Sequence, residues 1–144
     1  MAIADPAAPL YLDASAIVKL ISEEPESEEL IDAITDGRLV SSEVVIAEIP
    51  RAMRRIADAG GAGTFVDLIA RADSVLATLA LIPLGRDVLT LAGAVTLPTL
   101  RAVDAIHVAT SLLLDDLGLF ISYDARQLRA AAEAGLAIAS PGRS

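Results

Sequence analysis

The stretch "LYLDASAIVKLI", Leu10 to Ile21, decides the fold. Residues 10–13 read as a short strand whose apolar side chains follow one another without alternation. A strand of that kind is buried on both faces and belongs to a parallel sheet covered by helices. At Asp13 the pattern changes. Asp can cap a helix, and "ASAIVKLI" after it reads as one. A strand thus runs directly into a helix, with a carboxylate at the junction. In open sheets built from such units, functional groups gather outside the carboxyl ends of the strands, where Asp13 stands.

The rest of the chain repeats the alternation. Pro25 starts a helix, "ESEELIDAIT", with acids in its first turn where the helix dipole favours them, and Gly37 ends it. "RLVSS" is the next strand. Ser42 is expected to cap a helix through "EVVIAEIPRAMRRIADAG", kinked at Pro50. Gly60, Gly61 and Gly63 mark a loop. Helix "TFVDLIARADSVLA", strand "LALIPL" and helix "RDVLTLAGAVT" follow. A long helix is expected from near Pro98 to Gly118, then strand "LFISY", helix "DARQLRAAAEAG" ended by Gly135, and strand "LAIA". Neither a repeat nor a linker interrupts the series. The pattern predicts an α/β fold: one three-layer α/β/α domain over residues 1–144, with a mainly parallel, short-stranded central sheet.

Composition narrows the class. The 144 residues are 54% hydrophobic but only 3% aromatic, so the core must be aliphatic. The longest uncharged run, Val88 to Leu100, is too short for a bilayer span of about 20 residues. "MAIADPAAP" lacks the basic and apolar segments of a signal peptide, and no cysteine occurs, so a cytoplasmic chain without membrane contact is expected. The surplus hydrophobicity points to apolar surface covered in an oligomer or by a partner. With 20 acidic against 11 basic residues, the net charge of −9 by itself argues against nucleic-acid binding. The basic residues are clustered, however. Arg51, Arg54 and Arg55 lie together, and Lys19 is the only lysine.

Four acids stand apart from the solvated ones. Asp13 ends the first strand, and Asp124 follows "LFISY". Glu48 follows the apolar "VVIA", and Asp104 sits within "LRAVDAIHVATSLLL", an otherwise buried helix pattern. A charge in such a setting needs a partner. Like charges that converge need a counter-ion, and Mg²⁺ or Mn²⁺ prefers carboxylate oxygens. Taken singly, each acid could equally cap a helix or pair with an arginine, and Asp13 and Asp124 both precede helices. Spacing alone leaves both readings open.

At these residues the chain resembles the PIN domain family, closest to its VapC-type toxins. "YLDASAIVKLI" is similar to the family's opening motif, "SSEVVIAEIPRA" to its second, "LRAVDAIHVATSL" to its third and "LFISYDARQLRAAAEAGLAIASP" to its fourth. The matches come in order across residues 10–141. The resemblance implies that Asp13, Glu48, Asp104 and Asp124 ligate Mg²⁺ or Mn²⁺, with Ser15 and Ser122 as supporting hydroxyls. It implies an endoribonuclease in which metal activates a water and offsets charge on the phosphate. It further implies a homodimer held inactive by a VapB-type antitoxin, with DNA contacted only through that antitoxin. The alternative is a non-catalytic RNA- or protein-binding module on a PIN scaffold, which missing acids would suggest; all four are present. Receiver and haloacid-dehalogenase-like domains also place Asp at strand ends. The first needs a late lysine, and the second needs Asp at position 15, where Ser15 stands.

The remaining polar residues carry weaker expectations. His107, the only histidine, lies three residues after Asp104 and could share its face. A packed or hydrogen-bonded core histidine is the favoured reading over a general base, since a metal-activated water needs no imidazole. Arg51, Arg54, Arg55 and Lys19 could hold RNA phosphates or an acidic antitoxin segment, or could be solvated surface. Pro50 departs from the second motif, but its clash falls on the Ile46 carbonyl, which should leave Glu48 in place.

Overall fold

The computed structural model describes residues 8–97 and 99–143. The expected helix start at Pro98 and the N-terminal stretch through Ala7 lie outside them. Five strands, β1 (Leu10–Leu12), β2 (Leu39–Ser42), β3 (Ala80–Ile82), β4 (Leu119–Ile121) and β5 (Ile138–Ala139), form one sheet in the order β3-β2-β1-β4-β5. Every pairing is parallel. Seven helices are described: α1 (Ala14–Ile21), α2 (Ser27–Ile34), α3 (Val45–Ala59), α4 (Phe65–Leu76), α5 (Arg86–Gly93), α6 (Ala102–Leu112) and α7 (Ala125–Glu133). The helices cover both faces, giving the three-layer α/β/α arrangement.

Strand periodicity sorts the core into two halves. Leu12 and Ile121 point to one face, where α1, α2, α3 and α4 bring Ile17, Leu30, Ile49 and Leu68. Tyr11 and Phe120, one residue earlier, point to the other, against Val108 of α6 and Ala130 and Ala131 of α7. The Tyr11 and Phe120 rings stack with centroids 5.3 Å apart. The register pairs Leu12 with Ile121, so the two central strands end level. Asp13 and the Ser122–Asp124 turn therefore leave the sheet at the same edge.

Two local expectations are corrected. Ser42 ends β2 rather than capping α3; its hydroxyl accepts from the Val44 N–H at 3.1 Å, and the helix begins at Val45. That helix continues past Pro50 to Ala59 as one element, and the backbone bond lost there falls on the Ile46 carbonyl. The long helix expected up to Gly118 ends at Leu112. Asp115 and Asp116 follow it, and negative charge at a helix C-terminus is unfavourable. Leu114 and Leu117 pack on the core from outside the helix. Among the described residues, no helix is long and apolar enough to cross a membrane.

Candidate active site

The four acids reach the sheet edge by two routes. Asp13 and Asp124 are the N-caps of α1 and α7, each at a strand-to-helix junction. Glu48 and Asp104 lie in the first turns of α3 and α6, which enter the same edge from either face of the sheet. All four side chains line one cavity of about 920 Å³. The capping and cavity-lining readings are thus compatible. The Asp13 carboxylate accepts from the Ala16 N–H at 3.0 Å, and the Asp124 carboxylate from the Arg126 and Gln127 N–H groups at 2.9 and 3.2 Å.

Two serines lace these junctions together. The Ser15 hydroxyl donates to Asp13 Oδ1 at 2.6 Å and accepts from the Tyr123 N–H at 2.8 Å. The Ser122 hydroxyl donates to Asp13 Oδ2 and accepts from the Asp124 N–H at 3.0 Å. Asp13, only 3% exposed, is consequently held at both oxygens. Burial still pushes its carboxyl up, against the pull of His107, the two hydroxyls and the Ala16 N–H. Asp104 is raised first by burial and next by the charge of Asp124, with Glu48 and Asp13 adding to it.

His107 is buried, and both ring nitrogens are engaged: Nδ1 lies 2.6 Å from the Tyr11 hydroxyl and Nε2 2.6 Å from Glu48 Oε1. Sequence reasoning placed His107 in the core but missed its link to Glu48, 59 residues away in the chain. The buried amide of Gln127 also lines the cavity, and neither of its polar atoms finds a partner among the described residues.

The basic residues divide. Arg51 and Arg55 line the cavity. So do Arg101 and Arg126, which sequence reasoning missed although each flanks a motif acid. Arg54 does not; its guanidinium lies 3.6 Å over the Phe65 ring between α3 and α4. Lys19, considered as an RNA or antitoxin contact, does not line the cavity. It is buried, and Nζ donates to Glu24, Glu26 and the Pro25 carbonyl at 3.3, 3.0 and 2.9 Å.

The donor chemistry fits a hard divalent cation, because four carboxylates line the cavity. Among the described residues, no three of these groups already stand together as a ligand set. Their like charges repel, and Asp13, Asp124 and Glu48 are each engaged by neighbouring donors.

This fold agrees with the comparisons. The PIN domain family model matches residues 10–133, and the chain belongs to that family. It is 40% identical over 136 residues to Ribonuclease VapC46 of Mycobacterium tuberculosis, covering 93% of this chain and 98% of the relative. It is 35% identical over 136 residues to Ribonuclease VapC47 of the same species, covering 92% and 97%. Its fold is similar to that in the crystal structure of VapBC2 from Rickettsia felis bound to a promoter DNA fragment. The TM-score there is 0.67 at 11% identity, over 92% of this chain and 98% of that one.

Proposed function

We propose that the chain is a divalent-metal-dependent endoribonuclease of the VapC type, the toxin of a toxin–antitoxin pair acting in the cytoplasm. The observation that carries this reading is the convergence of Asp13, Glu48, Asp104 and Asp124 on one cavity rimmed by arginines. Relatives named as VapC ribonucleases, matched over nearly their whole length, supply the class. Bound among these oxygens, Mg²⁺ or Mn²⁺ would activate a water for attack at phosphorus and offset charge on the phosphate. Asp13, Glu48, Asp104 and Asp124 are the proposed ligands, direct or through water. Ser15 and Ser122 hold Asp13 in place. Arg51, Arg55, Arg101 and Arg126 are placed to bind flanking RNA phosphates.

The partner in this reading is a VapB-type antitoxin, and the toxin is a homodimer. A chain of net charge −9 gives DNA little footing, so promoter contact falls to the antitoxin. The test is RNA cleavage by the purified chain with Mn²⁺ or Mg²⁺, alongside Asp104→Asn and a chelator control. Expected are metal-dependent cleavage and its loss in the variant. Equal cleavage by both proteins, or none by either, overturns the reading. Expression of the chain alone should also arrest growth, with relief by Asp13→Asn; equal toxicity would favour a binding module.

A further inference from the structure

We propose that His107 is a positioning residue for Glu48, and that Tyr11 sets which imidazole nitrogen faces it. The inference rests on the metal-nuclease reading and extends it to residues outside the acid set.

Three side chains from three elements form one hydrogen-bonded line: Tyr11 of β1, His107 of α6 and Glu48 of α3. Tyr11 is wholly buried and His107 nearly so, at 0% and 1% exposure, while Glu48 keeps 23% and opens to the cavity. The line therefore runs from the core outward and ends on a candidate ligand. Donor and acceptor roles along it follow from chemistry. An ionised carboxylate can only accept, so Nε2 must carry a proton toward Glu48 Oε1. A phenol hydroxyl can donate, and Tyr11 is sealed in the core with its oxygen 2.6 Å from Nδ1. When the ring is neutral, that hydroxyl can donate to Nδ1, leaving the single imidazole hydrogen on Nε2. The ring is fixed from behind as well, because Tyr11 is stacked on Phe120 and meets the His107 ring edge-on at 5.7 Å.

The consequence is specific. Glu48 reaches out from α3 on a side chain with three rotatable bonds, and its Oε1 is bonded to a buried ring that Tyr11 holds from the other side. That leaves Oε2 to serve the cavity in a set orientation. Supporting hydrogen bonds of this kind orient the groups that meet a metal, and their loss costs about 10- to 100-fold in metal affinity or activity. His107 itself needs no contact with RNA.

The chain's single histidine makes the test clean. In tag-free protein, two-bond ¹⁵N–¹H correlation spectra of the imidazole should report the proton on Nε2. Observation of the Nδ1–H tautomer overturns the assignment of roles. His107→Met should lower Mn²⁺ affinity and kcat by about 10- to 100-fold with little change in KM for RNA. His107→Gln, whose amide nitrogen can reach the position of Nε2, should restore much of both. Tyr11→Phe removes one hydroxyl; it should shift the imidazole toward a tautomer mixture and lower kcat in parallel. Wild-type Mn²⁺ affinity and kcat in His107→Met would make His107 a packing residue only. Should His107→Met fail to fold, an unchanged tautomer and kcat in Tyr11→Phe would equally overturn the proposal. Absence of metal binding and cleavage in the wild type would instead remove the nuclease reading and the proposed role with it, while the spectrum would still report whether the hydrogen-bonded line exists.

Discussion

Asp13 and Asp104 hold protons more tightly in the folded chain than a free carboxyl does at its ordinary value of 3.8, because burial disfavours their charge. Above 3.8 and up to their raised values, the folded state binds protons that the unfolded state has released. Their contribution to stability is complete below 3.8 and is lost as pH rises through the raised values. Glu26 has the opposite sign. Hydrogen bonds from Lys19 and Arg143 hold its carboxyl below 4.5, so its contribution is present above 4.5 and is lost as pH falls through the depressed value. Metal-free protein should therefore gain thermal stability as pH falls through the raised values of Asp13 and Asp104, then lose it in stronger acid as Glu26 takes up its proton. Asp104→Asn should raise the melting temperature at neutral pH and flatten that gain, because the amide cannot carry the repelled charge. With Mn²⁺ the order reverses. A cation at about 100 times its Kd stabilises by about 2.7 kcal/mol, and the variant should lose most of this. Scanning calorimetry across pH, with and without Mn²⁺, checks both; a flat wild-type profile contradicts the first and an equal Mn²⁺ gain in the variant contradicts the second.

Helix α3 carries Glu48, Arg51 and Arg55 to the cavity although Pro50 interrupts its backbone bonding. Pro50→Ala restores the donor to the Ile46 carbonyl and removes the ring clash. It should stabilise the fold by up to about 3 kcal/mol while leaving metal-dependent cleavage unchanged. Denaturant unfolding and a cleavage assay check this, and a loss of cleavage would mean that the proline sets the Glu48 position. Lys19 makes the complementary case on α1. Lys19→Met keeps the volume but unties Glu24, Glu26 and the Pro25 carbonyl, so the melting temperature should fall by several degrees with RNA affinity unchanged. These helices mark what the amino-acid sequence disclosed. The alternation of apolar runs with capped helical segments was legible, as were the acids at the junctions, because strand ends and N-caps leave local signals. The strand order was not, since three-residue strands such as β1 and β4 carry no mark of their neighbours. The role of Lys19 was hidden because its partners lie in a loop that only tertiary packing brings over it. Arg101 and Arg126 were overlooked because their segments were read for Asp104 and Asp124.

Across the whole molecule, the net charge of −9 repels RNA, yet the cavity can still attract it. A phosphate feels charges within about one Debye length, roughly 8 Å at physiological salt. Near the cavity those charges include the four carboxylates, half of whose charge one divalent cation would offset, and Arg51, Arg55, Arg101 and Arg126. The arginines come from α3, from the residue that caps α6 and from α7, so they approach the acidic centre from three directions. A strand threaded through the site would thus meet cations on more than one side of the cleavage point. Each phosphate contact removed lowers the slope of log K against log salt by about 0.7 for single-stranded RNA. Arg101→Ala and Arg126→Ala should each cause a loss of that size, measured by fluorescence anisotropy on an Asp104→Asn background that prevents cleavage. Arg54→Ala serves as the control: its guanidinium is stacked on Phe65, away from the cavity, so its slope should match the parent. Parent slopes for Arg101→Ala and Arg126→Ala, together with a reduced slope for Arg54→Ala, would move the RNA path off the cavity rim and onto the α3–α4 face.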